Sequence, residues 1–216
     1  MNKAFQRALA ASLVAGVTAA SVACGGAAKT PAVPLGQTPP PPMAQRPPTK
    51  PDIDFMSGMI PHHAQAIVMC SMAVSHGARA DVRILCERIT VGQRDEIAIM
   101  QTWLQDRGLP VPDAKSMRHK MVMPNGMEHD MLMPGMMSDE EMAALDKARG
   151  PEWDRLFLIG MIKHHEGAMT MVEELFAKFG AAQDETVFKF ASDVFADQGT
   201  EIDRMKQMLA GKSPVF

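Results

Sequence analysis

Two stretches decide how this chain reads: Asp52–Met69, DIDFMSGMIPHHAQAIVM, and Asp154–Met171, DRLFLIGMIKHHEGAMTM. Shifted by 102 positions, nine of their 18 residues are identical: Asp52/Asp154, Phe55/Phe157, Gly58/Gly160, Met59/Met161, Ile60/Ile162, His62/His164, His63/His165, Ala66/Ala168 and Met69/Met171. A second match follows each, shifted by 105: Gln93/Gln198, Glu96/Glu201, Ile97/Ile202, Met100/Met205 and Leu104/Leu209. One supersecondary unit is therefore written twice.

Apolar residues in both copies recur at intervals of three and four, which predicts helices over about 52–76, 81–106, 151–179 and 184–210. His76-Gly77-Ala78 and Phe179-Gly180-Ala181 break each pair into a hairpin, and Gly150-Pro151 opens the third helix. Pro61 falls inside the first helix, where a kink is expected. Lys163 holds the equivalent place and presents no such obstacle. A shorter helix starts at Ser138, where Ser138-Asp139-Glu140-Glu141 forms a capping box. The expected fold is all-α: a four-helix bundle made of two duplicated helical hairpins.

Outward from this core, residues 1–23 read as a secretory signal peptide, with Lys3 and Arg7 ahead of an apolar run from Ala8 to Ala20. Small residues before Cys24-Gly25 resemble a bacterial lipoprotein processing site, so Cys24 is the expected lipidation point and any membrane contact is expected through that lipid alone. Residues 24–51 form a linker; nine prolines fall between positions 25 and 51, favouring an extended tether. The domain then spans 52–212. The expected location is outside the cytoplasm, in the periplasm or as a cell-envelope lipoprotein.

The formal net charge is −3 and no basic cluster appears, which argues against nucleic acid as a partner. Neither a Gly-rich phosphate loop nor a Ser/His/Asp or Cys/His nucleophile arrangement is apparent. Methionine is the unusual component: 21 of 216 residues, with no tyrosine.

At ~100° per residue, His62 and His63 flank the helix face marked by Met59, with Ala66 leaving room between them. His164, His165, Met161 and Ala168 repeat this, and Met169 follows His165 by four. Imidazole suits copper, zinc, iron and nickel, whereas thioether selects copper(I). A face carrying both favours copper, held as Cu(I), Cu(II) or both, with Met59, His62, His63, Met161, His164, His165 and Met169 as candidate ligands. Glu96 and Glu201, opposite in the hairpins, can receive a histidine N–H or add an oxygen. The bland alternative is a buried polar layer in which the histidines hydrogen-bond to Glu96 and Glu201 and the methionines simply fill the core. Histidine binds metal only when neutral, so copper(II) binding is expected to weaken between about pH 7 and 5.

A Met-rich loop, residues 117–137, MRHKMVMPNGMEHDMLMPGMM, holds eight methionines and two histidines. It offers a second candidate set: His119, Met121, Met123, His129, Met131 and Met133. Without metal it is expected to be mobile, with the first proteolytic cut near Asn125-Gly126. Cys70 and Cys86 lie eight residues either side of position 78, at one height of the hairpin, and an exported compartment permits a disulfide between them.

The two repeat segments, with QRDEIAIMQTWL and PGMMSDEEMAALDKARG, resemble a bacterial family known as domain of unknown function 305, across essentially residues 50–210. The resemblance implies a ferritin-like four-helix architecture, and it implies a copper-binding role like that of periplasmic members linked to copper tolerance. It carries over to His62, His63, His164 and His165 with Met59 and Met161. The leading expectation is a non-enzymatic, exported protein that sequesters or buffers copper ions; no protein partner is indicated. A structural or partner-docking bundle without metal is the alternative. A metal-dependent redox enzyme ranks behind, because di-iron sites in ferritin-like folds use Glu-x-x-His and the sequence contains none.

Overall fold

The computed structural model describes residues 47–122 and 127–212. The expected signal peptide, Cys24 and the linker as far as residue 46, and Met123 with Asn125-Gly126, lie outside the described residues.

Helices α1 (Lys50–Ser71) and α2 (Ala80–Asp106) form the first hairpin; α4 (Gly150–Phe176) and α5 (Glu185–Leu209) form the second. Between them lie a short antiparallel ribbon, β1 (His119–Val122) with β2 (Glu128–Met131), and a nine-residue helix, α3 (Asp139–Lys147). The fold is a ferritin-like four-helix bundle. Among the described residues no helix is long and apolar enough to cross a membrane.

Local chemistry sets the helix boundaries. Thr49 and Asp52 cap α1 reciprocally, and Ser138 with Glu141 does the same for α3. α1 continues as helix through Pro61. It ends five residues earlier than the periodicity predicts, because Met72 N and Ala73 N bond three residues back to Met69 O and Cys70 O, tightening the chain into turns. Gly77 then adopts φ 73°; in the second turn Gly180 adopts φ 80° and Ala182, two residues on, φ 52°.

The repeated aspartates cross-brace the copies. Asp52 accepts from Ala182 N at 2.7 Å, at the turn of the second hairpin, while Asp154 accepts from Arg79 N at 3.2 Å, at the turn of the first. Each buried carboxylate thus satisfies a backbone donor near the start of the opposite hairpin's second helix, as the orphan amides there require.

α1 packs on α2, α4 on α5, and α1 on α4, whereas the backbones of α2 and α5 approach each other far less. The core falls into two apolar clusters. One gathers Ala66, Met69 and Cys70 of α1, Leu85 and Ile89 of α2, Trp153, Phe157 and Met161 of α4, and Ile202 and Met205 of α5. Its neighbour gathers Phe55, Met56 and Met59 of α1, Ile97 and Met100 of α2, Met171 and Val172 of α4, and Phe190 and Val194 of α5. On every helix the boundary falls at the polar residues common to both copies: His62-His63, Gln93 and Glu96, His164-His165, Gln198 and Glu201.

Candidate metal centre

All four paired histidines are fully buried in this polar layer. His164 Nε2 lies 3.0 Å from the backbone carbonyl of His62, and the two rings stand 3.8 Å apart between centroids. His62 Nε2 lies 3.0 Å from Pro134 O. A carbonyl can only accept, so both rings carry the proton on Nε2 and leave Nδ1 as a bare lone pair. His165 Nε2 donates to Glu201 at 2.7 Å. His63 Nε2 stands 2.7 Å from Glu96, close but angled away from a hydrogen bond. The Nδ1 atoms of His62, His63, His164 and His165 have no hydrogen-bond partner.

This differs from how a purely structural histidine is held. His76 bonds through both nitrogens, Nδ1 to Ser75 at 2.9 Å and Nε2 to Asp146 O at 3.0 Å. It ties the first hairpin's turn to the end of α3.

Burial keeps the central pair neutral. His62 is pushed down to about 3, mainly by loss of solvent and then by its histidine neighbours. His164 is held well below the ordinary imidazole value by burial and by His62, His165 and His63. Neutral imidazole is the ligating form, so acid competition for these two nitrogens moves far below the pH 7 to 5 window that an exposed histidine predicts.

Part of the Met-rich segment is built into the β1/β2 ribbon. Pairing places His119 opposite Met131 and Met121 opposite His129 in the backbone register. Beyond it, residues 133–137 form a strap over the histidine layer. Gln65 Nε2 donates to Met137 O at 2.9 Å and its Oε1 accepts from Met137 N at 2.7 Å. The Pro134-Gly135 backbone lies flat on α4: a Cβ at Gly167 would stand 2.0 Å from Pro134 O, and one at Gly135 would stand 2.4 Å from Lys163 O. The strap also delivers methionines. Met133 fills the notch at Gly58 and Met137 the notch at Gly160, each 2.7 Å from where a Cβ would be, one turn before a histidine pair.

Met59 and Met161 are fully buried in the apolar clusters bordering the layer, and Met169 is half-buried against one of them. Met133, expected to act with the loop, sits instead on the bundle. Met137, Gln65, Gln93 and Gln198 belong to the layer or its cover and were not singled out from sequence; the identity of Gln93 and Gln198 in the two copies was the available signal. Both glutamines are buried with neither amide atom partnered. Cys70 and Cys86 meet in the core as two buried free thiols, not joined by the expected disulfide; burial and a hydrogen bond with Cys86 push the Cys70 thiol up.

Among the described residues no three of His, Cys, Asp and Glu converge tightly enough to enclose a metal ion. The layer instead offers separate nitrogen lone pairs beside thioethers. Metal-ligating histidines typically donate their other N–H to a carbonyl or carboxylate, which is the pattern of His62, His164 and His165. The donor set therefore fits a soft, nitrogen- and sulfur-seeking ion.

The model of the family named Domain of unknown function (DUF305) matches residues 52–209. A DUF305 fragment from Deinococcus radiodurans is similar in structure, with 27% identity, TM-score 0.63, and coverage of 76% of this chain and 99% of that one. CopM in its Cu(I)-bound form is similar at 26% identity and TM-score 0.55, and in its Cu(II)-bound form at 30% and 0.56; both comparisons cover 74% of this chain and 96% of CopM. No curated protein sequence matches the chain. With the family model spanning the whole bundle, the chain belongs to the DUF305 family.

Proposed function

We propose that this protein is an exported copper-binding protein that sequesters or buffers copper without catalysing a reaction. The observation that carries the reading is the histidine layer: four buried rings whose Nδ1 atoms are all unpartnered, three with Nε2 hydrogen-bonded to a carbonyl or carboxylate. Leaving buried polar atoms unanswered costs about 1–3 kcal/mol each, so four equivalent ones in a duplicated motif call for a ligand. The similarity to CopM, solved with Cu(I) and Cu(II), supports copper as that ligand.

In this reading His62, His63, His164 and His165 supply nitrogen, and Met133 and Met137 of the strap supply sulfur beside them. Met59, Met161 and Met169 hold the layer from within the core. Glu96 and Glu201 orient His63 and His165. The ribbon carrying His119, Met121, His129 and Met131, with Met123, forms an outer capture site. A cleaved signal over residues 1–23 and a lipid on Cys24 would hold the domain in the periplasm or cell envelope, with residues 24–51 as tether.

One observation favours a second reading. The bond from His164 to the His62 carbonyl joins the two hairpins directly, so the layer could serve to register them, as buried polar groups do elsewhere. Anaerobic Cu(I) titration against a colorimetric competitor separates the two. Replacing all four histidines by glutamine, with circular dichroism to confirm the fold, should remove the tight sites and leave only weaker binding at the ribbon. Unchanged binding in a folded variant would leave the registering role alone standing.

A further inference from the structure

The two hairpins are copies, so each serves as a control for the other. By the shifts of 102 and 105 that relate them, Cys70 and Cys86 correspond to Val172 and Ala191. Val172 and Ala191 are fully buried in the second apolar cluster, so the fold fills these two places without sulfur. The thiols are therefore an addition made in the first copy alone. Both are buried and free, and they meet: Cys70 of α1 is hydrogen-bonded with Cys86 of α2.

Their position ties them to the histidine layer. Cys70 follows His63 by seven residues and Cys86 precedes Gln93 by seven, so along either helix the separation is two turns, roughly 10 Å. Electrons tunnel over such distances through packed protein, so the thiols need not touch the ion they serve. The charge of Glu201, the carboxylate that receives His165, acts on the Cys70 thiol. Met69, next to Cys70, shares the Gly160 notch with Met137 of the strap, and these two methionines lie in one cluster with both cysteines.

We infer that Cys70 and Cys86 are an internal reductant that converts Cu(II) held at the histidine layer to Cu(I). The inference rests on the copper reading above. Two Cu(II) ions each gain one electron; the S–H bonds of both cysteines break, the two protons pass to water, and one S–S bond forms. Two Cu(II) and a dithiol thus give two Cu(I) and a disulfide, with the dithiol as the two-electron donor. A lone thiol would stop at a radical after giving up one electron, whereas a thiol partner in contact lets the second electron follow as the S–S bond closes. Each reduced chain does this once, so the step is stoichiometric. Its product is the ion that thioether selects, which favours movement from the histidine nitrogens towards Met133 and Met137.

The test uses the full chain, reduced and then freed of reductant, with Cys24→Ala in every preparation to remove the third thiol. Cu(II) is added anaerobically, and its electron paramagnetic resonance signal is followed. Cu(I) is then captured by a colorimetric chelator, and the thiols are counted by alkylation and peptide mass. The chain with both cysteines should lose the Cu(II) signal, release two Cu(I) and hold a Cys70–Cys86 disulfide. Cys70→Val with Cys86→Ala, which installs the residues of the second copy, should keep the fold and the bound Cu(II) with its signal undiminished. Replacing the four paired histidines by glutamine should leave both thiols free, because no Cu(II) is then held beside them. Bound Cu(II) that persists beside two free thiols would overturn this inference and leave copper binding standing. No uptake of Cu(II) by any preparation would overturn the copper reading, and this inference with it.

Discussion

His164 donates its Nε2 proton to the backbone carbonyl of His62, 3.0 Å away, so the two copies of the repeat meet at the same residue. The contact goes with the direct packing of α1 on α4. It also fixes the His164 tautomer and leaves Nδ1 free, so the bond that joins the hairpins prepares the proposed ligand.

Acid should unfold the bundle itself. His62 titrates near 3 in the fold and near 6.5 when unfolded. Between those values the native state binds fewer protons, so stability is complete above about pH 6.5 and falls as pH drops towards 3. For His62 alone the loss reaches about 3 kcal/mol by pH 4, and His164 adds to it in the same direction. Urea unfolding at pH 7 and pH 4.5 should show the drop, and His62→Gln should flatten it. A pH-independent midpoint would contradict the neutral, buried assignment.

The strap depends on a place where no side chain fits. Gly167→Ala would drive a methyl against the Pro134 backbone, so it should lift residues 133–137 from α4 and cost about 1–3 kcal/mol. Gln65→Leu removes both bonds to Met137 and should loosen the same segment. Limited proteolysis should then cut between residues 131 and 138 sooner than in the wild type. Equal cleavage rates would show the strap is held by other means.

Ala182 occupies the left-handed region that glycines serve at positions 77 and 180. The Cβ costs about 1 kcal/mol there, part of which a more flexible unfolded chain offsets. Ala182→Gly should therefore raise stability by a few tenths to 1 kcal/mol, seen as a higher thermal midpoint. A lower midpoint would mean that Ala182, buried against the second cluster, contributes more by packing than it loses by strain.

Cys70 and Cys86 are adjacent thiols in the structure, and protein folded under oxidising conditions should close them into a disulfide. A loop of about 15 residues makes such a link worth ~3 kcal/mol. Alkylation of unreduced, denatured protein followed by mass measurement should find no free thiol at either position; two alkylated cysteines would contradict the pairing.

The bundle was legible because its signals are redundant. Helix periodicity, two glycine-marked turns and a duplicated HisHis motif agree. The histidine layer was legible for the same reason, since each half predicts the other. Its cover was not. Residues 133–137 read as part of a methionine-rich tract, and their docking depends on Gly135 and Gly167 bringing two backbones together, a contact with no sequence periodicity. The ribbon was missed although Asn125-Gly126 is a strong hairpin signal; the four-residue flanks HKMV and EHDM are too polar and too short to announce strands.

The central claim, that free Nδ1 atoms of the histidine layer are the copper ligands, is tested most directly by long-range ¹H–¹⁵N NMR of the histidine rings before and after one equivalent of Cu(I) under anaerobic conditions. The metal-free protein should show His62, His164 and His165 protonated on Nε2 with bare Nδ1. On copper addition the Nδ1 resonances of the layer should move, while those of His76, already bonded through both nitrogens, stay in place. Copper uptake that leaves all four layer histidines unmoved and shifts only His119 and His129 would contradict the account.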